Sequence, residues 1–281
     1  VAVKLFVDNL THVDFSYLHP QRGLVGESWE AQLILQGKLD DQGMICDFGT
    51  VKKRIKAWLD SHVDHMLVVA RDMESLTVSQ DEQDTEVEWF YPGGERFFCK
   101  APHQAIALLP VAEITQKTVA GWVQEQLLEL FPEQVESVEI HFVAEKIEGA
   151  FYHYSHGLQQ HKGNCQRIAH GHRSRMEVKL DGKRRQDIEL YWSQQFADIY
   201  IGTLAHRVKS IEGVNRYEYL APQGAFQLEL PARYCYDLTT ETTVEQIAQH
   251  LAEQIKEEYS DYQVEVRAFE GVGKGAIVVI E

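Results

Sequence analysis

A chain that repeats itself has to be read as one unit built twice, because every motif then has a counterpart to compare it with. Here Arg96-Phe97-Phe98-Cys99-Lys100-Ala101-Pro102 returns as Arg216-Tyr217-Glu218-Tyr219-Leu220-Ala221-Pro222. The stretch Gln104 to Pro110 that follows returns, with one insertion, as Gln223 to Pro231. Each copy then enters a Thr-rich helix start, Thr115 to Val119 in one half and Thr239 to Val244 in the other. Val119, Trp122, Val123, Leu127 and Leu130 fall on one face of the first predicted helix, and Val244, Ile247, Leu251 and Ile255 on one face of the second. Thr242 and Glu245 have the spacing of a capping box. Strand-like runs follow, Val138 to Ala150 and Val264 to Ala276, each ending near Gly-Ala.

The earlier part of each half corresponds as well. Ser28 to Gly37 and Arg173 to Gly182 read as strands closed by a glycine turn. A helix is predicted after each, with Val51, Ile55, Trp58 and Leu59 on its apolar face in the first half and Ile188, Tyr191, Trp192, Phe196 and Ile199 in the second. The unit is therefore ββααββ, an α+β arrangement, with an extra hairpin between the helices around Tyr91-Pro92-Gly93-Gly94. A chain of 281 residues accommodates two such lobes, 1–150 and 151–281, joined without a linker. Gly149 to Leu158 is expected to form one long strand serving both. Open antiparallel sheets with helices on one face leave edges to be covered, so assembly of lobes into a barrel, in a homo-oligomer, is expected.

Charge bounds the partners. Lys and Arg number 27 against 43 Asp and Glu, a formal charge of -16, which argues against nucleic acid or an anionic membrane as partner. No apolar run is long enough to span a bilayer, and the first residues lack the basic-then-apolar pattern of an export signal. Cys46, Cys99, Cys165 and Cys235 are scattered without a CxxC pair, which suits free thiols in a reducing compartment. A cytoplasmic location is the expectation.

Residues i and i+2 of a strand share a face, so His170-Gly171-His172 can aim two imidazoles at one ion. Two histidines on a solvated strand give the same spacing. His156, at the end of the strand-like run Phe151 to His156, would come opposite that face in an antiparallel pair. Three neutral nitrogen ligands with an open fourth position make a catalytic rather than a structural zinc arrangement. Cys165, in the loop between these strands, is a candidate base or an ordinary loop cysteine.

Ser155-His156-Gly157-Leu158 followed by Cys165-Gln166-Arg167-Ile168-Ala169-His170-Gly171-His172 resembles the zinc and nucleophile signature of the 6-pyruvoyl/6-carboxytetrahydropterin synthase family. Gly43 to Lys52, containing Asp47-Phe48, and then Val63-Asp64-His65 resemble the family's Gly-x-x-x-Asp-Phe-x-x-x-Lys helix start and its catalytic Asp-His. The resemblance implies a tunnelling fold (T-fold) in both lobes, zinc on His156, His170 and His172, and Cys165, Asp64 and His65 as catalytic groups. It implies a pterin substrate anchored by Glu270, with a hydroxylated and triphosphorylated side chain. Pterin cofactor, folate and modified-nucleoside routes such as queuosine biosynthesis share this chemistry.

The departures matter. Lobe one carries Ser16, Val25 and Glu27 at the positions aligned with the ligands, and Gln21 near the cysteine position, so it should bind no zinc. Lobe two is read with Ala205-His206 where Asp-His is expected, and Ala144 aligns with Glu270 although Glu145 is one step away. Complementary loss suggests one composite site, with zinc and Cys165 from lobe two and Asp64 and His65 from lobe one; a residual helix-end Asp-His pair is the alternative. Arg173, Arg175, Lys183, Arg184 and Arg185 are either positive charge near the site or a solvated strand and turn. The rival functions are a non-catalytic or partner-binding zinc-containing duplicate and another T-fold enzyme acting on a purine-like ring. A zinc hydrolase would need a glutamate beside the metal, and the motif carries none.

Overall fold

The computed structural model describes residues 3–131 and 133–281. Lobe one runs β1 (Val3–His19), β2 (Gly23–Gly37), α1 (Phe48–His62), β3 (Leu67–Ala70), β4 (Thr77–Gln80), β5 (Asp84–Phe90), β6 (Arg96–Pro102), β7 (Ile106–Leu109), α2 (Gln116–Leu127) and β8 (Val135–Ala144). Lobe two opens with β9 (Tyr152–His156), β10 (His170–Ser174), β11 (Met176–Leu180), β12 (Lys183–Arg184) and α3 (Gln186–Gln195). It continues with β13 (Ile199–Thr203), β14 (Arg207–Ile211), β15 (Val214–Ala221), β16 (Gly224–Pro231), β17 (Cys235–Leu238), α4 (Val244–Glu258), β18 (Val264–Phe269) and β19 (Gly275–Ile280).

The helices form where the apolar spacing predicts. Val51, Ile55 and Leu59 are buried on α1, capped by the Asp47 carboxylate accepting from Thr50 N–H; Val244, Ile247, Leu251 and Ile255 are buried on α4. Each such side chain contributes roughly 1.5–3 kcal/mol by leaving water. The capping box sits on α2 instead of α4, where Thr115 and Thr118 exchange bonds. On α4 the cap is Thr243, accepting from Gln246 N–H, and Thr242 is fully buried.

Lobe one's main sheet has the order β7-β3-β1-β2-β8, antiparallel across β1, β2 and β8 and parallel where β3 and β7 join. Lobe two repeats it as β17-β13-β9-β10, continued by the sheet β19-β18-β11-β12. The tandem T-fold arrangement stands, with one addition: the segment between the helices of each lobe supplies two parallel strands to the main sheet as well as the hairpin. Those hairpins meet. β16 pairs with β6 through Gln227↔Lys100, Leu228↔Cys99 and Glu229↔Phe98, so the two lobes share the six-stranded sheet β14-β15-β16-β6-β5-β4. No strand set closes into a barrel within the chain, among the described residues. The long strand expected over 149–158 is not formed; β8 ends at Ala144 and β9 begins at Tyr152, with Gly149 at φ 105 between them.

A pseudo-twofold relation ties the lobes face to face. Ser16 pairs with Gly26 and Leu67 in lobe one as Ser155 pairs with Gly171 and Tyr200 in lobe two. The two serines touch across the interface, Oγ to Oγ at 2.7 Å. A Cβ on Gly26 would lie 1.9 Å from the Tyr154 carbonyl oxygen, and one on Gly171 would lie 2.6 Å from Gly26 Cα. Only backbone fits there. Gly26→Ala should force the lobes apart at a cost of about 3 kcal/mol or more, read as a lowered Tm; an unchanged Tm would refute this account of the interface.

Candidate active site and metal centre

Antiparallel pairing of β9 and β10 sets His156 opposite His170 and Tyr154 opposite His172. The three imidazoles are 0%, 1% and 1% exposed for His156, His170 and His172. His156 Nδ1 lies 2.9 Å from the Thr242 carbonyl and His170 Nδ1 lies 2.8 Å from the Arg167 carbonyl, acceptors that require N–H on Nδ1. His172 Nδ1 has Asp14 Oδ1 at 3.3 Å. The Nε2 atoms are thereby left for one another: those of His156 and His172 are 3.1 Å apart, and the ligand atoms of all three residues fall within 4.8 Å.

These residues fit a zinc ion. Two Nε2 lone pairs facing each other at 3.1 Å in a dry site repel unless a cation lies between them. Tetrahedral ligands about 2.0–2.1 Å from zinc stand about 3.3 Å from each other. Burial, reinforced by the neighbouring imidazoles, pushes His156 and His170 well below the ordinary histidine value. They are therefore in the neutral, ligating form at pH 7.

Cys165 sits on a single 3-10 turn, Asn164–Gln166, half-buried. Its sulfur, a ring nitrogen of His65 and one of His170 lie within 4.8 Å of each other. His65 is a lobe-one residue. It follows α1 in a left-handed conformation, φ 56, that turns its ring across the interface to 5.0 Å from the His170 ring. Asp64 Oδ2 holds His65 Nδ1 at 2.6 Å, and Asp64 Oδ1 accepts from Asp14 N–H at 2.8 Å. Burial alone would lower the His65 imidazole, but its hydrogen bonds to Asp64 and Cys165 and their charges raise it to about 10. The structure thus brings Asp64, His65, Cys165 and the three histidines together from both lobes.

This value exceeds the unfolded-state histidine value of about 6.5. The bound proton therefore stabilises the fold fully below pH 6.5, and that contribution is lost as pH rises from there through 10. His65→Gln should flatten this alkaline limb: over melts from pH 6 to 10 the variant loses less Tm than the parent, and parallel curves would count against it.

Register corrects the lobe alignment. His170 and His172 correspond to Val25 and Glu27, but His156 corresponds to Tyr17 rather than Ser16, since Tyr17 pairs with Val25. Ala205-His206 is not the counterpart of Asp64-His65. Val63 and Phe196 both close a helix, and Asp198 shares the φ of 56 found at His65, so Ala197-Asp198 occupies that place. Three residues of β13 separate Asp198 from the short turn Leu204–His206, where His206 bonds Gln159. In the mirror position Arg22 forms a bidentate pair with Asp198, at 2.8 and 2.5 Å. Burial pushes Glu27 up to about 7 there. That place is filled by ion pairs.

Glu270 follows β18 with Oε1 4.0 Å from His172 Nε2, while Glu145 lies off the end of β8 and accepts from Arg175 at 2.5 Å. The basic cluster is elsewhere: Arg173 covers Phe151, Arg184 pairs with Glu189, Arg185 with Asp187, and Lys183 is exposed. A cleft of about 290 Å³, lined in part by Asp14, Lys56, Asp64, His65 and Lys274, opens on the proton-handling pair. Asp14, Thr242 and Lys274 carry no motif that would have drawn attention to them; burial of Asp14 and Thr242, at 4% and 0% exposed, is their only mark.

With this geometry in view, residues 9–148 and again 146–279 match the family described as 6-pyruvoyl tetrahydropterin synthase. Among solved structures the chain is similar to a Plasmodium vivax 6-pyruvoyltetrahydropterin synthase altered at a catalytic residue, at 15% identity over 51% of this chain and 91% of that one, with a TM-score of 0.43. It is similar to the Plasmodium falciparum 6-pyruvoyl tetrahydropterin synthase at 15% identity over 50% and 90%, with a TM-score of 0.42. No match is found among curated protein sequences.

Proposed function

The chain belongs to the 6-pyruvoyl tetrahydropterin synthase family, and we propose that it is a zinc-dependent lyase acting on a dihydropterin, with one working site built between its two lobes. The observation that carries this reading is the meeting of three buried imidazoles from lobe two with the Asp64-His65 pair of lobe one on either side of Cys165. Residues 151–281 form the zinc-binding lobe, and residues 1–150 form a lobe that has given up its own ligands and lends its proton-handling pair to the other.

His156, His170 and His172 hold the ion. Bound there, zinc supplies Lewis-acid stabilisation of negative charge developing on the substrate's side-chain oxygen. Cys165 takes the proton from the carbon beside that oxygen. His65, a donor to both Asp64 and Cys165, keeps the sulfur poised and returns a proton later in the cycle. Asp64 is itself held by Asp14 N–H, so its second oxygen keeps the His65 ring aligned. Glu270 accepts two hydrogen bonds from the amino and ring N–H groups of the pterin. The side chain then loses triphosphate or is cleaved to a carboxylate.

No helix among the described residues is long and apolar enough to cross a membrane, and the acidic charge favours a small-molecule substrate over nucleic acid. A cytoplasmic homo-oligomer is the assembly we propose, because β19 ends lobe two's sheet with Ile277 and Val279 exposed.

Metal analysis of the purified chain together with turnover of dihydroneopterin triphosphate tests the proposal. The expected result is one zinc per chain and conversion of the pterin. Zinc without conversion would favour the non-catalytic duplicate or a different purine-like substrate, and absence of zinc would defeat the metal centre itself.

A further inference from the structure

Two of the three ligand histidines have their Nδ1 held by backbone carbonyls of their own lobe. The third does not. His172 Nδ1 is buried, no main-chain acceptor satisfies it, and its one polar neighbour, at 3.3 Å, is the carboxylate Oδ1 of Asp14 from β1 of the other lobe. Asp14 is 4% exposed, and its position is over-determined: Ser28 Oγ donates to Oδ1 at 2.5 Å, and Lys274 Nζ lies 3.2 Å from Oδ2. Gly271 makes room for it, since a Cβ there would lie 2.5 Å from Asp14 Oδ1. The main chain of the same residue grips the proton-handling pair, with Asp14 N–H on Asp64 and His65 N–H on the Asp14 carbonyl at 2.6 Å.

We infer that Asp14 is the positioning residue of the metal centre: its carboxylate holds the proton of His172 on Nδ1 and aims Nε2 at the ion. One residue of lobe one thereby sets the ligand geometry of lobe two and the placement of Asp64 and His65 together. A carboxylate on the far nitrogen of a ligating imidazole fixes its tautomer and raises its basicity, and loss of such a partner commonly costs about 10- to 100-fold in metal affinity. The pseudo-twofold relation supports a selected contact. The mirror pair, His153 and Glu27, keeps the acid-imidazole juxtaposition at 4.0 Å with the roles exchanged between lobes. There the imidazole Nδ1 has turned to the Gly26 carbonyl at 2.7 Å, and the ligand position is filled by a carboxylate.

This assignment rests on the zinc reading, and the test separates the two. Zinc affinity of the full chain is measured by competition with a chromogenic chelator for the parent, Asp14→Asn and Asp14→Glu, alongside ring-nitrogen NMR of His172 in the zinc-free parent. The expected results are affinity lowered about 10- to 100-fold in Asp14→Asn, partial recovery in Asp14→Glu, and a proton on His172 Nδ1 before any metal is added. Parent-like affinity in Asp14→Asn overturns the role of Asp14 and leaves the metal centre standing. A parent that binds no zinc overturns both. If Asp14→Asn does not fold, the NMR arm still decides, because a proton found on Nε2 in the metal-free parent overturns the assignment.

Discussion

Replacing Cys165 with Ala is expected to lower turnover of the pterin by about 10²- to 10⁴-fold, the range over which a positioned proton-transfer group contributes, while one zinc per chain and the melting temperature are kept. The metal is expected to stay because three imidazoles with satisfied Nδ1 atoms form a complete nitrogen set without the sulfur. The fold is expected to stay because Cys165 lies half-buried on a single turn outside the sheets. Cys165→Ser should be nearly as inactive, since a serine hydroxyl does not ionise beside His65 at neutral pH. The variant also separates two metal geometries. Cys165, His65 and His170 form a second cluster within the same 4.8 Å span, so loss of zinc on removing the sulfur would make the thiol a ligand and sink its role as base.

Removing the ion is expected to have the second large effect. A ligand at 1,000 times its Kd stabilises the folded state by about 4 kcal/mol, so a chelator should lower the Tm of the zinc-loaded chain by an amount on the order of 10 °C. Zinc should restore it. His156→Ala should abolish that response, because it deletes one of three ligands and leaves the Thr242 carbonyl without its donor. Comparison of the variant with the parent after chelation isolates the metal term from the packing lost at a fully buried position. A parent whose Tm ignores both chelator and zinc would contradict the arrangement of these imidazoles around an ion.

Much of the site was legible because it lies within one hairpin. Strand alternation put His170 and His172 on one face, and antiparallel pairing brought His156 opposite; both are local rules. The helix faces were legible for the same reason, from Val51, Ile55 and Leu59 to Ile247 and Leu251. The errors came where register or chain path decides. A one-residue slip separates Tyr17 from Ser16 as the counterpart of His156, and nothing in a degenerate strand without ligands marks the correct frame. Ala205-His206 looked like a worn Asp-His pair, yet three strand residues separate it from Asp198, whose left-handed backbone identifies the true counterpart. Thr242 sat one step from the real helix cap, Thr243, and that step turns it from a helix cap into the acceptor that orients His156.

The amino-acid sequence by itself determined that the chain is a duplicated unit, that one copy keeps three histidines and a cysteine, and that the other keeps only an Asp-His pair. These are properties of spacing along a single strand or helix, where neighbours in sequence are neighbours in space. Only the tertiary structure decided that the retained halves face each other. Ser16 meets Ser155 and Gly26 meets Gly171 across more than a hundred residues, and from that apposition come His65 beside Cys165 and Asp14 beside His172. Such contacts depend on the shapes of two completed sheets, and a surface made by distant strands leaves no period in the chain that forms it.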